Sequence, residues 1–192
     1  MMGMLLKPSD LLPGESKVMT KGANLIVSVK EAGLSRFVAD KYFWITGMEG
    51  KEAIGGLAHL TNYRVIFKSH SINRLRGSYS IFLPNIVSVS TGFNRLYVET
   101  EIQRFAFVVW FKSSFIEAIH RQKSALTPQD ILKLKDLIGT NPGIIGPGLQ
   151  KCITLEIINK IASAALKIEE IIEKLPGTEK NTFLEFLSLL EK

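Results

Sequence analysis

The strongest constraint on the fold is an alternation of apolar and polar residues that runs from about residue 15 to residue 111. Successive side chains of an extended chain point to opposite faces, so a period of two predicts strands with a buried face. Clusters of Gly, Asn and Ser, which favour turns, separate the runs. The predicted strands are residues 25–29, 42–45, 63–67, 79–83, 86–89 and 96–100. Many short strands with short links favour an antiparallel sandwich or barrel.

The clearest alternation lies at residues 104–111, where both faces of an extended chain would be apolar. One face would carry Phe105, Phe107, Val109 and Phe111, and the other Ala106, Val108 and Trp110. We therefore expect a central strand, covered on both sides or set in a barrel whose outer face is partly covered.

The period changes after this strand. Ser114 and Glu117 have the spacing of a capping box, in which each side chain bonds the backbone N–H of the other residue. A helix is predicted from there to about Lys123. Strands followed by one helix predict an α+β fold, with an antiparallel barrel or sandwich that the helix closes.

Two segments of the predicted barrel resemble the core signature of GRAM domains. Residues 55–69 read GGLAHLTNYRVIFKS, and residues 78–86 read SYSIFLPNI. The resemblance covers about residues 11–123 and implies a pleckstrin-homology-like fold, in which two orthogonal antiparallel sheets are closed by a C-terminal helix. The spacing from Lys30 to Ile54 is longer than in the family pattern, which leaves the strand order before Gly55 open.

The chain beyond residue 123 has a helical pattern, which predicts two domains, residues 1–123 and 124–192. Thr127, Pro128 and Asp130 form a helix start, and Ile131, Leu134 and Ile138 follow on one face. Residues 139–149 are rich in Gly and Pro and predict a hinge. A last helix is marked by Phe183, Phe186, Leu187 and Leu190, after a break at Pro176 and Gly177.

Between the hinge and the last helix, apolar residues recur at steps of three and four, which is the spacing of a helical seam. The seam contains Ile157, Ile161, Ala164, Ile168, Ile171 and Leu175. It has two interpretations. It packs against the other helices and the barrel, or it forms an oligomer or partner interface.

The charge is concentrated in the first predicted domain. The net charge of the chain is +6, and residues 1–123 hold nine Lys, seven Arg and nine acidic residues, an excess of +7. This excess favours an anionic partner there.

The single cysteine, Cys152, has no internal disulfide partner, which predicts a reducing, cytoplasmic setting. No apolar run has the length of a membrane span, and the first residues lack the pattern of a signal peptide.

Catalytic and metal-binding motifs are absent from the sequence, so we predict a non-enzymatic protein without a cofactor. The three histidines, His59, His70 and His120, have no Cys or acidic residue at ligand spacing. Each is interpreted as a lone surface or boundary histidine.

A basic loop at residues 68–77 is the candidate binding site. Its candidate ligand-binding residues are Lys68, His70, Arg74 and Arg76, with Lys17 and Lys21 assigned to the same rim if the resemblance holds. The alternative interpretation is that these are solvated surface charges. The exposed strand faces lack interleaved aromatic and basic residues, which favours lipid phosphate over nucleic acid.

Two functional hypotheses follow. The first is a non-catalytic adaptor that recognises an anionic membrane surface, a phosphoinositide-like headgroup or a protein surface, which places the protein at the membrane periphery. The second is an assembly protein that forms a homo-oligomer through barrel edges or the helical tail, without a small-molecule ligand.

Overall fold

The structure is a computed structural model that describes residues 4–28, 50–73, 76–146, 149, 175 and 177–192. Within these residues, seven strands come first and four helices follow. The strands are β1 (Lys17–Ser28), β2 (Lys51–Thr61), β3 (Arg64–Ser69), β4 (Ser78–Phe82), β5 (Ile86–Thr91), β6 (Leu96–Thr100) and β7 (Arg104–Val109). The helices are α1 (Lys112–Ala125), α2 (Pro128–Thr140), α3 (Pro142–Ile145) and α4 (Gly177–Leu190).

The strands form an antiparallel sheet in the order β4-β3-β2-β1-β7-β6-β5. The long strand β1 pairs with β2 on one side and with β7 on the other, so it belongs to both halves of the sheet. The two halves of the sheet pack against each other. The ring centroids of Phe67 on β3 and Phe107 on β7, one from each half, lie 5.9 Å apart. Helix α1 adds Phe115, Ala118 and Ile119 to the core between them. The predicted α+β class, an antiparallel barrel closed by a helix, is confirmed.

The segment that carries the GRAM resemblance forms β2, β3 and the turn between them. A Cβ at Gly56 would lie 2.2 Å from the Lys68 carbonyl oxygen and 2.7 Å from the Phe67 ring, so a side chain cannot fit there. The second segment forms β4 and a short 3₁₀ turn, Leu83–Asn85, that leads into β5. The predicted strand at residues 42–45 lies outside the described residues.

Three local predictions were wrong. Strand β7 ends at Val109, so Phe111 is 84% exposed instead of facing the core. Helix α1 begins at Lys112 and has no side-chain cap, and the Ser114 hydroxyl donates to the Phe111 carbonyl instead. Residues 142–145 of the predicted hinge form the one-turn helix α3, because Pro142 suits a first helical position.

The start of α2 is confirmed. Thr127 Oγ1 accepts a hydrogen bond from Asp130 N, and the Asp130 carboxylate accepts from Thr127 N at 2.9 Å. Hydrogen bonds from Thr127 also lower the pKa of Asp130. Leu134 and Ile138 are buried, as their spacing predicts. The last helix is also present and begins at Gly177.

The outer face of β2–β4 is covered by both ends of the chain. Helix α4 packs on β4, where Phe183 and Phe186 are fully buried. They belong to a second apolar core that also holds Leu12, Tyr63, Phe82, Leu134, Ile138, Ile145, Leu149, Leu175 and Leu189. The division into residues 1–123 and 124–192 stays a prediction, and residues from both parts share this core.

A buried ion pair fastens the N-terminal segment to the same face. The Arg64 guanidinium donates from Nε to Glu15 Oε1 and from Nη2 to Glu15 Oε2, each at 2.9 Å. Both side chains are almost fully buried. Further bonds join Arg64 to Ser80 Oγ and to the Asp10 carbonyl oxygen. The arginine of the GRAM-like signature therefore has a structural role in this chain.

Candidate functional site

The structure places the described residues of the basic loop in local contacts. Lys68 lies at the end of β3, and its Nζ is 2.8 Å from Asp10 Oδ2. His70 Nδ1 accepts from Ile72 N at 3.2 Å, and Arg76 Nε donates to the Asn73 carbonyl at 3.3 Å. Arg74 lies outside the described residues. In this loop Arg76 is exposed, whereas the ammonium group of Lys68 forms an ion pair with Asp10 of the N-terminal segment.

Lys17 and Lys21 lie on β1, outside this loop. Lys17 pairs with Thr61 at the turn between β2 and β3, whereas the loop begins beside Gly55, whose carbonyl accepts from His70 N. The ammonium group of Lys21 lies 5.9 Å from the centroid of the Phe111 ring. Lys17 thus lies at the other end of β2 from the start of the loop, and the ammonium group of Lys21 lies beside Phe111, just after the end of β7.

The predicted helical seam is mostly outside the described residues, as Ile157, Ile161, Ile168 and Ile171 all are. Leu175 is described and is 8% exposed within the second core. Its burial is consistent with packing inside the protein. The choice between internal packing and an oligomer interface for the other seam residues stays a prediction.

His59 differs from the predicted surface or boundary histidine because it is buried. Its Nε2 donates to the Met4 carbonyl at 2.9 Å, so its Nδ1 accepts from Thr20 Oγ1 at 2.8 Å. Burial lowers the pKa of His59. Both ring nitrogens are therefore used to join β1, β2 and the N-terminal segment. Within the described ranges there is no group of three or more His, Cys, Asp or Glu that could hold a metal ion.

Three aromatic side chains lie on the surface where β7 ends. Phe93 is 97% exposed, Trp110 is 78% exposed and Phe111 is 84% exposed. Lys112 Nζ donates to the carbonyl oxygens of Gly92 at 2.8 Å and of Phe93 at 3.3 Å, so the turn after β5 lies beside the start of α1. We call Phe93, Trp110, Phe111, Lys21 and Lys112 the aromatic end. Exposed apolar patches with a basic border are typical of docking surfaces.

The backbone directs Phe111 outward. Its φ of 54° and ψ of 50° lie in the left-handed region, and no other described residue except glycine has a positive φ. This conformation costs a bulky side chain on the order of 1–2 kcal/mol. Without this turn, Phe111 would follow Phe107 and Val109 into the core. Strain of this kind concentrates at functional sites and supports a role for the exposed ring.

Sequence reasoning missed this site because it assigned Trp110 and Phe111 to the two faces of a strand. The available signal was the basic residue Lys112 directly after two aromatic residues, together with Phe93 in a turn of Gly and Asn. The alternation alone could not show that the strand stops at Val109.

Comparisons with known proteins give no family assignment. No protein-family model and no curated protein matches the chain. A solved structure titled the C-terminal domain of an unknown protein from Leishmania infantum is 14% identical, with a TM-score of 0.40, over 58% of this chain and 86% of that one. The Vps36 N-terminal PH domain is 16% identical, with a TM-score of 0.39, over 62% of this chain and 83% of that one.

The chain is an α+β protein with a seven-stranded antiparallel sheet and an aromatic, basic surface at the end of β7. No helix in the part of the chain that the structure describes is long and apolar enough to span a membrane.

Proposed function

We propose that this protein is a non-catalytic binding module that docks on an anionic lipid surface through the aromatic end. The observation that carries the proposal is the exposure of Phe93, Trp110 and Phe111 next to two lysines. Aromatic rings favour the interface between lipid headgroups and acyl chains, and Trp is typical there because its apolar ring also carries a polar N–H. Each Lys or Arg near an anionic membrane adds about 1 kcal/mol of attraction.

The two kinds of residue have complementary tasks. The net charge of +7 in residues 1–123 attracts the protein to the surface over a distance set by the salt concentration. The rings then enter the interface and lose contact with water, which contributes up to about 1.5–3 kcal/mol for each fully buried ring. Charge alone would give weak, salt-sensitive binding. The aromatic rings supply the part of the binding free energy that persists when salt is added.

Co-sedimentation with vesicles tests the proposal. We expect the full chain to bind phosphatidylcholine vesicles that contain phosphatidylserine, and to bind pure phosphatidylcholine vesicles far more weakly. Added salt should reduce but not abolish the binding, since salt screens charge and leaves ring burial intact. Absence of binding to any anionic vesicle would contradict the lipid proposal and leave a protein partner as the ligand of this surface.

The basic loop is a second proposed contact with the same surface. Arg76 is exposed, and with Arg74 it would add about 2 kcal/mol near an anionic membrane, or about thirtyfold in affinity. We expect the double variant Arg74→Ser, Arg76→Ser to keep the parent's melting temperature and to lose retention on anionic vesicles at low salt. Equal retention would remove the loop from the contact and leave the aromatic end as the docking surface.

A further inference from the structure

A carboxyl group without a facing cation lies at the centre of the contact between α4 and the barrel. The Glu185 side chain is fully buried. Its Oε1 accepts from Thr100 Oγ1 at 2.8 Å and from Gln103 Nε2 at 2.9 Å, and its Oε2 accepts from Asn85 Nδ2 at 3.0 Å. Asn85 Nδ2 also donates to the Glu185 carbonyl oxygen at 2.6 Å. All of these donors are neutral, so hydrogen bonds alone would compensate a negative charge on the Glu185 carboxyl.

The charged groups on the surrounding elements are directed elsewhere. Arg104 Nε pairs with Glu99 Oε1 at 3.0 Å, and Lys192 Nζ pairs with Glu101 Oε1 at 3.0 Å. Lys135 on α2 reaches the Leu190 carbonyl oxygen. The remaining titratable groups of α4 and of the two residues that follow it are Glu179, Lys180 and Glu191. Within the described residues, none of these groups forms a hydrogen bond or an ion pair with the Glu185 carboxyl, whose partners are Asn85, Thr100 and Gln103.

The Asn85 amide has an unused acceptor beside this carboxyl group. Asn85 Oδ1 is buried and has no hydrogen-bond partner, although Nδ2 of the same amide contacts Glu185 Oε2. A buried acceptor without a donor destabilises the fold. A protonated carboxyl has one O–H to donate, whereas a carboxylate has none. Of the two forms of the Glu185 carboxyl, only the protonated one has a donor to offer to this acceptor.

We propose that Glu185 is a proton-sensitive lock of α4, and that its carboxyl group takes up one proton from solvent when α4 is seated on the barrel. Burial without a cation raises the pKa of Glu185 above its ordinary value of 4.5. Well below pH 4.5 the carboxyl is protonated whether α4 is seated or released, and the contact has its full stability. As the pH rises from there to the raised pKa, the released state loses its proton first, so the contact weakens.

Release of α4 would expose an apolar surface that is distinct from the aromatic end. Phe183, Phe186 and Leu189 leave with the helix, and Tyr63 and Phe82 on the barrel lose their cover. The lock thus couples the pH to the exposure of the outer face of the sheet. This inference does not depend on the lipid proposal.

Hydrogen–deuterium exchange of the full chain at about pH 5, 6, 7 and 8, corrected for intrinsic exchange rates, tests the lock. In the parent, we expect the protection of residues 177–190 to fall with rising pH, by at most tenfold per pH unit, which is the limit for one proton. In the Glu185→Gln variant the slope should vanish and the protection at high pH should rise. Glu191→Gln, which changes an exposed carboxyl near the same end of the chain, should keep the parent's slope.

Two outcomes would overturn the inference. One is protection of residues 177–190 that does not change with pH in the parent, a result that needs no variant to fold. The other is an equal slope in the parent and in Glu185→Gln, which would assign the pH dependence to other groups.

Discussion

Replacing Glu15 with alanine should lower the free energy of unfolding by about 3–5 kcal/mol. The change leaves the Arg64 guanidinium buried and without its carboxylate, because both partners are almost completely shielded from water. It also removes the acceptor of the Leu12 N–H and one of the two acceptors of the Thr61 hydroxyl. Unfolding in urea, followed by circular dichroism, measures the loss.

An exposed ion pair provides the control for this experiment. Glu101 pairs with Lys192 at 3.0 Å, and the Glu101 side chain is 53% exposed. Glu101→Ala should change the free energy of unfolding by no more than about 1 kcal/mol, as is usual for surface pairs. A loss in Glu15→Ala that is no larger than in the control would show that the N-terminal segment is not fastened by Arg64.

The second large effect concerns the aromatic end. The double variant Trp110→Ser, Phe111→Gly should lower affinity for anionic vesicles by about a hundredfold, because two rings that each contribute about 1.5 kcal/mol are lost. Its stability should stay within about 1 kcal/mol of the parent, since both side chains are exposed and glycine removes the strain at φ 54°. Vesicle co-sedimentation and urea unfolding measure the two quantities.

Leu132→Ser is the matched control, because Leu132 is a 65% exposed apolar residue on α2, away from the aromatic end. It should leave both vesicle binding and stability unchanged. An equal loss of binding in the control would mean that exposed apolar residues anywhere on the protein promote adsorption. A double variant that binds as well as the parent would remove the aromatic end from the contact.

The fold was predictable from the sequence where local patterns and packing agree. Alternation at residues 63–67, 79–83, 86–89, 96–100 and 104–111 predicts strands that the structure contains, because one face of each lies in the core. The last of these strands ends at Val109, two residues earlier than predicted. The capping pattern at Thr127 predicts the start of α2, because a cap satisfies backbone groups within a few residues. Interactions of this range can be read from neighbouring residues.

The candidate sites depend on contacts that no local pattern contains. Glu15 and Arg64 are 49 residues apart in the chain, and Asn85 and Glu185 are 100 residues apart. Lys68 was assigned to an anion-binding loop from its charge, whereas in the fold it pairs with Asp10. A basic residue in the sequence shows only a charge, and the tertiary structure decides which partner neutralises it.

The most direct test of the lipid proposal is the fluorescence of Trp110. The chain has two tryptophans, so the Trp44→Phe variant makes Trp110 the sole reporter of the aromatic end. With vesicles that contain phosphatidylserine, we predict a shift of its emission to shorter wavelength and quenching by lipids that carry bromine on their acyl chains, because the exposed ring enters the interface. Emission that stays unshifted and unquenched while the protein is bound to the vesicles would contradict docking through the aromatic end.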